Sequence, residues 1–273
     1  MSGEFLIHCR SHTEAGPAQQ LGLGLAARTG ARANGLYVVS LYPAAFATPE
    51  TVALTLTAAN SEYEEALAAA AFWRIQTQRA GVAGDWLVCE DDPVEALARA
   101  SLLSDLLIME RPTLSPEAPT GFGLVSRAAF ACSVPVLVVP DCCCTQAAGT
   151  VALIAWNGSR ESARAVERAL PVLRWADRIV ALDGSGHDST SQRRMPSPAL
   201  KPWLERHSLK TEIRAFAPDG AAAGPAILEA AQDIGADLIV MGAWGHARLA
   251  EMILGGVTRY LFQHSDRPML VAH

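Results

Sequence analysis

Apolar residues along this chain fall in short unbroken runs, and stretches with helical spacing separate them from one end to the other. In the first half, Phe5–Cys9, Leu36–Leu41, Trp86–Glu90, Leu106–Met109 and Val134–Val139 read as strands. A long helix is predicted over Thr51–Ala80. Asp92-Pro93-Val94-Glu95 then has the cap, first-position proline and third-position acid of another helix start. In the second half the strand runs are Val151–Trp156, Arg178–Leu182, Thr211–Phe216, Leu238–Met241 and Met269–Ala272. Asn157-Gly158-Ser159 supplies turn and N-cap chemistry, and Ala163, Val166, Leu170 and Leu173 follow as one apolar helix face. A polar loop runs from Asp183 to Pro198, and a helix spans Ala199–His207. Pro225 is expected at the first position of a helix whose Ile227, Ala231 and Ile234 face inward, and a last helix centres on Thr258. Strands that are apolar throughout, with helices between them, predict parallel sheets covered on both faces.

The pattern repeats. Asp105-Leu-Leu-Ile-Met109 returns as Asp237-Leu-Ile-Val-Met241, 132 residues later. Ser133-Val-Pro-Val-Leu-Val-Val139 is echoed by Asp266-Arg-Pro-Met-Leu-Val-Ala272, and the helix-opening Pro93 by Pro225. Three landmarks at nearly one offset mean a duplicated domain. The predicted fold is α/β, two tandem doubly wound parallel-sheet domains over residues 1–141 and 149–273. The boundary falls near Asp141–Gly149.

Charge and composition remove several classes. The net charge is −6 and no basic run exceeds Arg193-Arg194, so nucleic acid is not an expected partner. Lys201 and Lys210 are the only lysines and each follows a leucine, which excludes a Walker A loop. No apolar stretch approaches the roughly 18–20 residues that span a bilayer. Met1–Gly16 lacks a signal-peptide pattern, so the expected location is cytoplasmic, away from membranes. Cys142-Cys143-Cys144 suggests thiol redox or soft-metal chemistry. Adjacent side chains on an extended strand diverge, however, which suits one tetrahedral centre poorly and favours a linker reading.

Ligands of open parallel sheets bind beyond the carboxyl ends of the strands, near the reversal in strand order. One loop there is rich in glycine: Met241-Gly242-Ala-Trp-Gly245-His246-Ala-Arg248, running on to Gly255-Gly256-Val257-Thr258. Glycines at a strand end let backbone N–H groups approach an anion, and the helix after Gly256 adds its positive end. His246 and Arg248 offer cationic contacts and Thr258 a hydroxyl. The same glycines also serve turns and close helix packing.

Gly242-x-x-Gly245-x9-Gly255 in a duplicated α/β chain resembles the universal stress protein family in its tandem form, most strongly from Gly149 to His273. The resemblance implies an adenine-nucleotide-binding fold. It places the phosphates of ATP, with any accompanying Mg, on Met241, Gly242, Gly245, Gly255, Gly256, Val257 and Thr258. It places adenine and ribose near Ala155, Trp156 and Asn157, at the end of the first strand of the second domain, and near Leu182 at the end of its second.

Two positions depart from the family pattern. Gly256 stands where a hydroxyl residue is expected, and Asn157 where an aspartate is common. In the first half Glu110 stands where Gly242 stands, Pro112 removes a donor, and Gly121 and Gly123 are poorly placed. That domain is read as a degenerate partner with a structural or interaction role.

No recognised catalytic constellation is present. The readings are therefore a nucleotide-sensing stress protein, an interaction scaffold, and third a slow ATP hydrolase. Family resemblance also implies that the apolar closing strands pair the two domains as an internal pseudo-dimer. A homodimer is a further expectation, and protein partners are not named by the sequence.

Overall fold

The computed structural model describes residues 3–41, 48–112, 123–143, 148–185, 199–218, 222–243 and 256–273. The chain divides into two units, the first built from Met1–Pro112 and Leu124–Gln146, the second from Ala147–His273.

The first unit contains β1 (Glu4–His8), α1 (Pro17–Thr29), β2 (Arg32–Ser40), α2 (Pro49–Ala68), α3 (Ala70–Ala80) and β3 (Trp86–Asp91). It continues with α4 (Pro93–Ala100), β4 (Leu106–Arg111), α5 (Leu124–Ala131) and β5 (Val136–Pro140). β1 pairs with both β2 and β4, β2 with β3, and β4 with β5, all parallel, giving the order β3-β2-β1-β4-β5. The reversal in strand order lies between β1 and β4. Leu6, Ile7, Leu107, Ile108, Met109 and Leu137 are fully buried along the central strands.

The second unit repeats this plan with β6 (Val151–Trp156), α6 (Arg160–Leu173), β7 (Arg178–Asp183), α7 (Leu200–Arg206), β8 (Thr211–Ala215), α8 (Ala223–Asp233), β9 (Leu238–Gly242), α9 (Gly256–His264) and β10 (Met269–Ala272). Its order is β8-β7-β6-β9-β10, again parallel, with the reversal between β6 and β9.

The repeated aspartates anchor the strand starts. Asp237 accepts hydrogen bonds from the backbone N–H groups of Gly149, Thr150 and Val151 at 2.9, 3.0 and 3.0 Å. Asp105 accepts one, from Glu4 at 2.8 Å. The aspartate that opens each repeat thus holds the beginning of the neighbouring first strand.

Several expectations are refined. The stretch 51–80 is two helices, because Trp86 Nε1 donates to Ala66 O at 2.7 Å and takes the carbonyl that the next turn would use. Ala69 lies at the break, with ψ −2° and its N–H shared between Glu65 O and Ala66 O. In α6 the buried face is Ser162, Ala165, Val166, Ala169, Val172 and Leu173, while Ala163 is exposed. Pro225 is the third residue of α8, where its missing N–H still costs nothing. The polar residues Arg32 and Asn34 belong to β2, which begins four residues before its apolar run. Among the described residues no helix is long and apolar enough to cross a membrane.

Candidate functional site

The second unit's candidate site lies at the carboxyl ends of β6, β7 and β9. Gly242 closes β9, and a Cβ there would lie 2.4 Å from Ser162 N and 2.6 Å from Glu161 C. The first turn of α6 therefore rests directly on the strand end, and only glycine fits beneath it. The same closeness brings the amino end of α6, the positive end of its dipole, to the strand-order reversal. Ser159 caps this helix by accepting from Ser162 N at 3.1 Å.

Trp156 is buried at 5% exposure, so its indole fills the interior. Its carbonyl accepts from Gly184 N at 2.8 Å, tying the loops after β6 and β7 together. Ala155 is half-buried beside it. Asn157 is exposed, and its Oδ1 accepts from Ser159 N at 3.1 Å. That turn engages the amide oxygen and leaves the amide nitrogen as the group offered outward. Gly158 sits at φ +76°, a conformation that favours glycine, and its Cβ position lies 3.2 Å from the Ser185 Cβ.

Leu182 and Met241 are buried, at 3% each, so they reach a ligand only through their backbones. Gly256 opens α9, exposed, with open space where a side chain would go. Val257 is half-buried and Thr258 is buried in α9 at 5% exposure. Gly245, His246, Arg248 and Gly255 lie outside the described residues, as do Cys144, Gly121 and most of the polar loop after Ser185.

Sequence reasoning missed three polar groups at this end of the sheet. Asp183, the last residue of β7, accepts from Ser185 N at 3.0 Å and Ser185 Oγ at 2.6 Å. Arg164, on α6, donates to His273 O at 2.8 Å. Burial, and then the Arg164 charge, hold the His273 imidazole below its usual range. The Asp183-Gly184-Ser185 string was a legible turn signal. Nothing in the sequence pairs Arg164 with a strand end 109 residues away. Among the described residues no group of three His, Cys, Asp or Glu side chains could hold a metal ion.

A parallel sheet with its strand order reversed between β6 and β9, and a glycine-ended β9 under a helix start, defines a doubly wound α/β domain. Residues 151–273 match the model of the Universal stress protein family, and the C-terminal unit is a domain of that family. A universal stress protein of Methanocaldococcus jannaschii is 42% identical over 45 residues, which is 16% of this chain and 28% of that protein. A universal stress protein structure from Archaeoglobus fulgidus matches with a TM-score of 0.73 at 18% identity, covering 100% of this chain and 98% of that one. A Pseudomonas aeruginosa structure described as a universal stress protein matches with a TM-score of 0.55 at 14% identity, covering 99% and 93%. At these identities the structural likeness shows the fold, in both halves of the chain.

Proposed function

We propose that the second unit binds an adenine nucleotide, ATP or a close relative, and that the protein acts as a nucleotide-responsive regulator in the stress response. The observation that carries this reading is Gly242, whose missing side chain seats the positive end of α6 at the strand-order reversal. Membership of residues 151–273 in the family supports it. In this reading the phosphates lie along Met241, Gly242, Gly245 and the start of α9, with His246 and Arg248 supplying positive charge. Backbone groups at Leu182 and the amide of Asn157 face adenine and ribose. Mg would travel with the phosphates, since the described residues bring no carboxylate cluster to hold it.

The test is calorimetric titration of nucleotide-stripped protein with Mg-ATP, beside Gly245→Val and Gly256→Ser. Wild type is expected to bind saturably at one site per chain, and Gly245→Val to lose that binding. Gly256→Ser places a hydroxyl in open space at the amino end of α9, and one restored bond to phosphate is worth about 1.5–3 kcal/mol. Its affinity should therefore rise by roughly tenfold or more. Absence of heat from wild type and Gly256→Ser alike, at millimolar ATP, sinks the nucleotide reading. It would leave the scaffold, a reading that the engaged oxygen of Asn157 favours.

A further inference from the structure

The two units end the strand beside their strand-order reversal in opposite ways. In the second, β9 closes on Gly242 and the first turn of α6 rests on it. In the first, β4 closes on Glu110 and Arg111, and the helix start it faces is Gly16 and Pro17 of α1.

The two helix starts differ as well. α6 has its own cap, Ser159, and an acid in its first turn, Glu161. α1 has neither a side-chain cap nor an acid in its first turn. Its positive end is met from β4 instead. Glu110 Oε2 lies 2.5 Å from where a Gly16 Cβ would stand, a place left open because residue 16 is glycine.

The other carboxylate oxygen, Glu110 Oε1, accepts from Arg10 Nη1 at 2.8 Å. The Glu110 side chain is 10% exposed, against 49% for Arg10, so the carboxylate is the group drawn inward. An arginine on one side and a helix start on the other are the surroundings proteins give a bound phosphate. Beside the carboxylate lies a cavity of about 320 Å³, lined by Arg10, Gly16 and Glu110, with exposed Glu14 also in its wall.

We propose that Glu110 is a built-in anion that takes the phosphate's place at the start of α1 and keeps the first unit closed to phosphate ligands. Deleting the carboxylate leaves Arg10 and the uncapped helix start facing the cavity. The vacated place then suits a small oxyanion, which Glu14, exposed to water, opposes only weakly. The first unit is in this sense permanently filled. That only the second unit fills and empties with ligand rests on the nucleotide reading; the closure of the first does not.

The test is titration of the full chain with inorganic phosphate, read at the amide resonances of Ala18 and Gln19 at the start of α1. These amides belong to the first unit, so the result is independent of nucleotide binding in the second. Wild type is expected to show no saturable shift. Glu110→Ala should show one, with affinity at least about tenfold above the wild-type limit. Glu110→Gln removes the charge and keeps the shape, so it should gain less and serves where the alanine variant does not fold. Adding Arg10→Gln to either should abolish the gain. The proposal is overturned if folded Glu110 variants respond as wild type does. It also fails if wild type binds phosphate at these amides as tightly as the variants, or if the gain survives Arg10→Gln.

Discussion

His8 shows how one buried side chain becomes a property of the whole fold. The unfolded chain takes up its proton near pH 6.5, while the native imidazole refuses it until about 4. As pH falls through that window the unfolded state binds more protons, and stability declines. A gap of this size corresponds to about 3 kcal/mol in full. His8→Gln should remove this component, so its denaturant midpoint should fall less than wild type's between pH 7 and pH 4. Parallel midpoint curves would show that His8 ionises freely in the native state. Cys9 beside it is also buried, with its thiol pushed far above the usual range, so it is not a reactive thiol near neutrality.

Among the elements, β6 is held at its start and shaped at its end. Asp237 alone accepts three backbone N–H groups, whereas Asp105 accepts one and is exposed. Replacing Asp237 by Ala should therefore cost about 2–3 kcal/mol, and Asp105→Ala less than about 1 kcal/mol. Denaturant titration of the two variants measures the asymmetry, and equal losses would refute it.

These aspartates also show what was legible. Their recurrence exposed the duplication, and the apolar runs located the strands, because a strand buried on both faces has little room for polar residues. The break at Ala69 was not legible, since it depends on an indole from β3, 20 residues away in the chain. The buried face of α6 was legible in part: Val166 and Leu173 lie on it as read, but the rest is filled by Ser162, Ala165, Ala169 and Val172, and Ala163 is exposed. At the candidate site the glycines were visible as a spacing, but the reason for Gly242, a helix backbone lying on it, is a tertiary fact. The helices Pro17–Thr29 and Leu124–Ala131 passed unread. In Pro17–Thr29 apolar residues are too evenly spread to mark one face, and it carries the wall of the first unit's cavity.

At the scale of the molecule, the two units share a strand plan and differ in the charge offered at the strand-order reversal. The proposed nucleotide should accordingly leave its footprint on one unit alone. Mg-ATP is expected to slow amide exchange at the ends of β6 and β9 and at the start of α6. The ends of β1 and β4 and the start of α1 should exchange as in the free protein. A ligand present at 100 times its dissociation constant adds about 2.7 kcal/mol to the unit that binds it. Exchange mass spectrometry reads both units in one preparation. Protection by ATP confined to β1 and α1 would invert the assignment of sites.

The pairing of Gly16 with Glu110 restricts what descent can do with the first unit. The carboxylate lies where any side chain at position 16 would begin, so enlarging Gly16 obliges the Glu110 side chain to swing away from the start of α1. Replacing Glu110 by glycine would take the partner from Arg10 and the carboxylate from the positive end of α1. Giving β4 the glycine end that β9 has therefore involves Arg10 and the start of α1 as well as Glu110, three places on separate stretches of the chain.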